Sequence, residues 1–458
     1  MFLQPGETKM LSTKSSETSK QHERLVVGIV DCGRIGLLHA CLFAEAGFRV
    51  ICVDSDQATV ERLLKGKVPF LKHEIEPVLQ KSLASGRLKV TNDLKAVTSQ
   101  GDILIVTTPV VISDKGEVDY SPLEKILKLI GPSLRKEMLV IITSIVGIGM
   151  MEGLFKEILE SSSGFKAGSD FQLAYSPILF PERQTLKSLT SCRRIVAASD
   201  EASLEAALNV IKAVTNAGVI KTRDVKTAEA AVLFEAVFQN VNSALNNEFA
   251  LFCEKLGIDY PAVRDLLSSA INMYTQPTST NEAFRILLEE AENLNLKLRI
   301  SETAMELNEE FLRHGVELIR DALKNCGKPL RRAKIALLGL SQTPNTADIP
   351  KDYVKKIISI LEKKGAKLTL YDPYLSGRTL TDLEHTPIRK SLAEAVEGAD
   401  CMVVLTGHDQ LKKLNLRRLK LLAKMPAAIV DLESVLDPVE VEAEGFIYRG
   451  YGRGVWKR

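Results

Sequence analysis

The chain has 458 residues, 45% hydrophobic and 26% charged, the composition of an ordinary globular protein and too long for one core, so two or three domains are expected. A net charge of +2 gives no reason to expect a nucleic acid or an anionic membrane as partner, and no apolar run reaches the ~18–20 residues of a membrane span. Seven scattered cysteines without a CxxC pair argue against a disulfide framework, and six histidines without ligand spacing argue against a metal, so reduced thiols in a cytoplasmic protein are expected.

Residues 1–23 are rich in Ser, Thr, Lys and Glu, without the apolar core of a signal peptide, and are expected to form a disordered tail. Residues 25–54 read as strand, glycine turn, helix and strand. Further apolar runs at 103–107, 138–143 and 172–175 alternate with helical stretches such as 121–131. Fully apolar strands alternating with helices imply a parallel, doubly wound sheet.

From Thr227 to Leu256 there is neither Gly nor Pro, and Val232, Leu233, Val237, Val241, Leu245, Phe249 and Phe252 recur at helical spacing. This predicts a helix of about 45 Å, ended at Gly257. Such a helix suits a spine between two lobes and a surface for dimerisation. From Ile258 to His314 there is no glycine or cysteine. A second alternating set starts near Ala333 with AKIALLGLS, followed by AKLTLYDPY, DCMVVLTGH and AAIVDLESVL. The expected fold is α/β, with two Rossmann-like doubly wound domains joined by a long central helix. The expected boundaries are 24–218, 219–326 and 327–458.

The glycine turn at 31–36 is read as a dinucleotide fingerprint. Glycines there let the backbone approach a pyrophosphate at the helix N-terminus, and an acid closing strand two takes the ribose hydroxyls. Gly33 and Gly36 fill the second and third glycine positions, and Asp54 closes the second strand. The first position is Asp31. An ionised Asp31 opposes a pyrophosphate by up to ~4 kcal/mol at ~4 Å with an effective dielectric of ~20, so NAD binding is expected to be weak or absent. Asp tolerates unusual backbone angles, so the turn itself can survive.

The segments GRIGLLHACLFAEAGFRVICVDSD, TTPV (107–110), AYSP (174–177), the 227–259 helix, GKPLRRAKIALLGL, YDPY (371–374) and GFIYRGYGRG resemble, in this order and spacing, the UDP-glucose/UDP-N-acetylmannosamine 6-dehydrogenase family. The resemblance implies NAD in the first domain, with Gly33, Gly36, Asp54 and Thr108 as its contacts. It also implies a UDP-sugar or other nucleotide held by the last domain, and a homodimer built on the central helix. The family oxidises a sugar C6 alcohol to a carboxylate with two NAD, through a cysteine thiohemiacetal and thioester.

The same resemblance places non-polar residues where that chemistry needs polar ones. The expected lysine matches Val232, the asparagine Ala236, the glutamate Ile178 and a threonine Ile145. The glycine-rich cysteine loop should follow Ile271-Asn272-Met273, where the chain runs YTQPTSTNEAF. One arginine matches Pro350, after Thr346 to Asp348, and a D-G-R-N-like segment reads Asp431-Leu432-Glu433-Ser434. No catalytic residue is therefore assigned. Three readings stand: a catalytically silent homologue acting as a nucleotide or nucleotide-sugar binding module or as a partner subunit, an active NAD-dependent oxidoreductase making a UDP-uronate, and a two-electron oxidoreductase acting on another substrate. Cys32 is read as a small residue in a tight turn, and Cys253 lies too far along the helix to serve as the nucleophile. Glu289, Glu290 and Glu292 are expected on a surface helix, and the basic cluster at 411–424 on a solvated face. Arg449 and Arg453, flanked by glycines, are candidates to approach a phosphate.

Overall fold

Apolar β-branched runs become buried strands, and the segments between them wind back over the sheet as helices. The computed structural model describes residues 24–68, 72–113, 117–178, 186–267, 282–341, 344–345, 352–375 and 388–454. The expected tail, the Ile271–Met273 region with the stretch after it, and Thr346 to Pro350 lie outside the described residues. The chain divides into two compact units. Unit one is the chain up to Ala236 with Glu282–Lys297; unit two is Val237–Asn281 with Leu298–Arg458.

The sheet of unit one contains β1 (Val26–Val30), β2 (Arg49–Val53), β3 (Leu88–Thr91), β4 (Ile103–Val106), β5 (Leu139–Ile142), β6 (Gln172–Tyr175), β7 (Arg194–Ala197) and β8 (Val219–Thr222). Their order is β8-β7-β6-β5-β4-β1-β2-β3. The order reverses at β1, between β2 and β4, which is where a doubly wound sheet offers a ligand edge. Helix α1 (Arg34–Glu45) connects β1 to β2. Leu37, Leu38, Ala40, Cys41 and Phe43 of α1 pack into the core against Ile29, Cys52 and Ile105. The fully parallel expectation fails at one junction, where β7 runs antiparallel to β6 through Tyr175 and Ala197. Neither β7 nor β8 was read from the sequence, because both are short and flanked by polar residues.

The long helix, α2, runs from Val225 to Leu256. Gly257, at φ 68°, ends it. The Ile258 N–H turns back to the Cys253 carbonyl at 2.9 Å, a helix-terminating closure that glycine favours. Unit one also includes helix α3 (Glu282–Asn293). In unit two, α4 (Arg299–Asn325) lies along α2, joined to it by a pair of buried asparagine contacts beside the apolar packing of Ala250 and Cys253 with Phe311. Asn247 Nδ2 donates to Asn308 Oδ1 at 3.0 Å, and Asn308 Nδ2 donates to the Asn240 carbonyl at 3.1 Å. The apolar residues Phe238, Leu245, Phe249, Phe252 and Leu256 are instead exposed.

Unit two is built on a parallel sheet, with β9 (Lys334–Leu338), β10 (Lys367–Tyr371), β11 (Cys401–Val404), β12 (Ala428–Asp431) and β13 (Ile447–Gly450) in the order β10-β9-β11-β12-β13. Two helices at Asp409–Lys412 and Leu416–Leu422 carry Lys412, Arg417, Arg418 and Lys420 on the solvated face expected for them. Among the described residues no helix is long and apolar enough to cross a membrane.

Candidate functional site

β1 ends at Val30 and the chain reverses through Asp31, whose φ is 80°. That left-handed conformation favours glycine, and Asp is among the few side-chain residues that adopt it. The Asp31 N–H donates to the Val53 carbonyl at 2.9 Å, and its own carbonyl accepts the Thr107 hydroxyl at 3.0 Å. Asp31 Oδ1 accepts the Gly33 N–H at 2.9 Å. A Cβ on Gly36 would collide with the Asp31 carbonyl oxygen and stand 2.8 Å from Thr107 Oγ1. Glycine at 36 is therefore what lets α1 rest on the turn.

Asp54 follows β2 and closes onto the same turn. Its Oδ2 accepts the Cys32 N–H at 3.1 Å and its Oδ1 accepts the Asp56 N–H at 2.8 Å. Burial raises the Asp31 carboxyl above its ordinary range; the Gly33 N–H opposes this and the Asp54 charge adds to it. Thr108 follows β4, buried, and its Oγ1 has no hydrogen-bond partner among the described residues. Its carbonyl accepts the Ser144 hydroxyl at 2.6 Å. An unpaired buried hydroxyl costs about 1–3 kcal/mol and suits a polar ligand atom. The strand order thus gathers Gly33, Gly36, Asp54 and Thr108 at one edge of the sheet. An acid after β2, a helix N-terminus and an unpaired hydroxyl are chemically compatible with NAD, whereas the Gly33 amide is already held by Asp31.

The expectation of uniformly reduced thiols is corrected in this turn. Cys32 and Cys52 are joined as a disulfide, with Cα atoms 6.2 Å apart, while Cys41, Cys192, Cys253, Cys326 and Cys401 are free. The pairing is invisible in the sequence because 20 residues separate the two, and only the β1–α1–β2 fold brings them together.

Val232 and Ile178 are 3% and 6% exposed, hydrocarbon within the packed interior. Glu229, three residues before Val232 on α2, is fully buried. It accepts the Gly149 N–H at 2.5 Å and the Met151 N–H at 2.9 Å. Burial pushes its carboxyl up to about 7 against these two hydrogen bonds. The Tyr120 hydroxyl accepts the Gly147 N–H at 3.0 Å and is pushed up to about 12 by burial. Glu289 and Glu290 are half-buried rather than solvated: Glu289 accepts the Val118 N–H at 3.0 Å, and burial raises the Glu290 carboxyl. A cavity of about 160 Å³ in unit one, lined by Glu152, Lys156, Tyr175, Ser199 and Asp200 among others, shares no residue with the glycine turn.

In unit two, Asp372 occupies the end of β10 much as Asp54 occupies the end of β2. Its Oδ2 accepts the Leu340 and Ser341 N–H groups at 2.7 and 2.9 Å, the Ser341 hydroxyl at 2.8 Å and His408 Nε2 at 3.0 Å. His408 Nδ1 accepts the Asn345 N–H at 2.8 Å, which assigns the donated proton to Nε2. Burial works against the Asp372 charge, but the His408 contact and the backbone donors hold its carboxyl below the ordinary range. Arg449 and Arg453, candidates for a phosphate, are instead paired within the unit. Arg449 Nε donates to Asp321 Oδ2 at 2.7 Å, and Arg453 Nη1 reaches both Asp259 oxygens at 2.9 Å. Glu433, where the resemblance expects an arginine, stands 3.4 Å from the Tyr353 hydroxyl. Among the described residues no cluster of His, Cys, Asp and Glu is arranged to hold a metal.

Three family models cover most of the chain. They are the NAD binding domain of the UDP-glucose/GDP-mannose dehydrogenase family at residues 25–215, its central domain at 226–310 and its UDP binding domain at 336–438. The UDP-N-acetyl-D-mannosamine dehydrogenase of Pyrococcus horikoshii is 28% identical over 439 residues, covering 93% of this chain and 99% of that protein. The UDP-glucose 6-dehydrogenase TuaD of Bacillus subtilis is 25% identical, covering 93% of each. A solved structure of the UDP-D-ManNAc dehydrogenase from Pyrococcus horikoshii superposes with a TM-score of 0.81 at 26% identity, covering 94% of this chain and all of that one. With an NAD-binding domain, a UDP-binding domain and the matching fold all in place, the chain belongs to the UDP-glucose/GDP-mannose dehydrogenase family.

Proposed function

We propose that this chain is a divergent family member that has lost the four-electron oxidation of a UDP-sugar and retains nucleotide recognition. The observation that carries the reading is Val232, buried hydrocarbon on α2 at the position where the family resemblance expects a lysine. Valine neither donates, accepts nor carries charge, and Ile178 repeats the loss at the expected glutamate. A thioester route needs a thiolate as well as acid–base groups, each worth orders of magnitude in rate. Among the described residues, Cys41, Cys253, Cys326 and Cys401 are buried, and Cys253 lies some six turns beyond Val232.

Gly33, Gly36, Asp54 and Thr108 are assigned to NAD, with Asp31 lowering its affinity, and the C-terminal domain is assigned to a UDP-sugar. The test mixes purified protein with NAD and, in turn, UDP-glucose, UDP-N-acetylglucosamine and UDP-N-acetylmannosamine. No NADH above a blank is expected; two NADH per sugar with any of the three overturns the reading in favour of an active dehydrogenase.

The exposed stripe on α2 supports a homodimer. Phe234, Phe238, Phe249 and Phe252 are 43–64% exposed on one side of the helix, while Asn240, Asn246 and Asn247 are among the residues buried on the other. Contiguous exposed apolar surface of this kind marks an interaction face, and the closed solution for identical chains is a two-fold pair. Sedimentation at micromolar concentration should give the mass of a dimer; a monomer throughout would end this part of the proposal.

A further inference from the structure

We propose that Cys32 and Cys52 form a reversible thiol–disulfide site that sets the conformation of the glycine turn and, through it, the dinucleotide affinity of unit one. The affinity half rests on the nucleotide reading above; the thiol chemistry stands without it.

The backbone already satisfies the bond. Its Cα separation of 6.2 Å lies inside the range a disulfide requires, and both side chains are buried, Cys52 completely. Cys52 cannot shift easily. It lies inside β2, in register with Ile29 of β1 on one side and Val90 of β3 on the other. Cys32 sits in the turn itself, between Asp31 and the exposed Gly33, and its N–H is held by Asp54. Two unbonded sulfurs need more room than two bonded ones, and a close-packed interior has none to spare. On reduction the turn therefore yields while β2 stays in place. The crosslink holds the turn with Asp31 seated on the Gly33 amide, and a pyrophosphate must displace that carboxylate to reach the same donor. Reduction is thus the state that admits the dinucleotide.

With hydrogen peroxide as oxidant the chemistry balances. One thiolate attacks the peroxide O–O bond, which breaks to leave a sulfenic acid and hydroxide. The second thiolate attacks that sulfur; the S–O bond breaks, the S–S bond forms and a second hydroxide leaves. The two thiol protons convert both hydroxides to water, and two electrons pass from sulfur to oxygen. Dithiothreitol reverses the step by thiol–disulfide exchange, itself becoming a cyclic disulfide.

The experiment prepares the full chain with peroxide or with dithiothreitol and removes the reagent. Each form is then divided among three measurements. Denaturing alkylation with peptide mass spectrometry reads the bond, calorimetry reads NAD affinity, and hydrogen exchange reads the amides of residues 31–37. The expected result is a linked Cys32–Cys52 peptide pair only after peroxide, slower exchange in the linked form, and NAD binding at least about fivefold tighter after reduction. In Cys32→Ser/Cys52→Ser, which keeps the other five cysteines, both differences should vanish. Failure of peroxide to form the link overturns the proposal. So does equal exchange in the two forms, or unchanged or weakened NAD affinity on reduction. If neither form binds NAD, the nucleotide reading falls, while the mass and exchange measurements still decide the thiol site.

Discussion

The Asp31 carboxylate accepts the amide hydrogen of Gly33 at 2.9 Å, so the residue replacing the first fingerprint glycine also occupies a donor of the turn it forms. A side-chain anion thus stands where the fold ordinarily receives a ligand anion. Replacing Asp31 by Gly frees the amide and removes the repulsion without disturbing the backbone, because glycine accepts a φ of 80° at no cost. Calorimetry should show NAD binding tighter by about tenfold or more in Asp31→Gly, since each ~1.4 kcal/mol is a factor of ten.

Proton linkage follows from the same contact. Burial and then Asp54 raise the Asp31 carboxyl, so its neutral form is present at higher pH than for an ordinary aspartate. The neutral form does not repel a pyrophosphate. NAD affinity should therefore rise as the pH falls through the folded-state value, and Asp31→Asn should show a smaller dependence in the same titration.

Glu229 carries a linkage of the same sign, acting on the fold rather than on a ligand. Burial raises it to about 7, so the folded chain holds this proton more tightly than the unfolded one. Its contribution is fully present below the ordinary glutamate pKa and is lost as the pH rises through about 7. Denaturant unfolding at a series of pH values should show unit one losing up to about 3 kcal/mol from this group between roughly pH 4 and 8. Glu229→Gln should flatten that slope, while costing about 1–3 kcal/mol because one of two backbone donors loses its acceptor.

Restoring the expected lysine should not restore the reaction. Val232→Lys places a charge in a site 3% exposed, with an expected stability loss of about 3 kcal/mol and a lower Tm. NADH should remain absent with the three UDP-sugars. Appearance of NADH would show that the rest of the catalytic set is intact.

On α2, Phe238→Glu with Phe252→Glu puts charge on the exposed stripe rather than into the core. The expected outcome is a monomer by sedimentation with an unchanged far-ultraviolet circular dichroism spectrum. A dimer that persists would place the subunit contact elsewhere.

In unit two, His408→Leu removes the donor that faces the fully buried Asp372. Leaving a buried carboxylate one partner short should cost about 3–5 kcal/mol, measured as a shift in the unfolding midpoint of that unit.

Much of the scaffold was legible locally. The runs at 103–107, 138–143 and 172–175 are strands, the glycine-free stretch is one helix, and Gly257 ends it, because burial period and stop signals are properties of neighbouring residues. Strands such as Leu88–Thr91, Arg194–Ala197, Val219–Thr222 and Ile447–Gly450, which periodicity does not reveal, are short or partly polar and draw their stability from pairing partners. In the candidate site, Gly33, Gly36 and Asp54 were readable because the fingerprint is a contiguous pattern. Glu229 lies within the 227–259 segment, and nothing local distinguishes its buried carboxylate from a solvated one.

The sequence by itself determined the family, the two alternating α/β halves and the departures from polar chemistry at Val232 and Ile178, since each is a matter of residue type and order. Only the tertiary structure decided where the charges and sulfurs meet. It set Asp31 on the Gly33 amide, bonded Cys32 to Cys52, paired Arg449 and Arg453 with Asp321 and Asp259, and turned the phenylalanines of α2 outward. The physical reason is range. Helical and strand periodicity act over a few residues, whereas hydrogen bonds, ion pairs and disulfides join groups that chain order keeps apart and packing alone brings within a few ångströms.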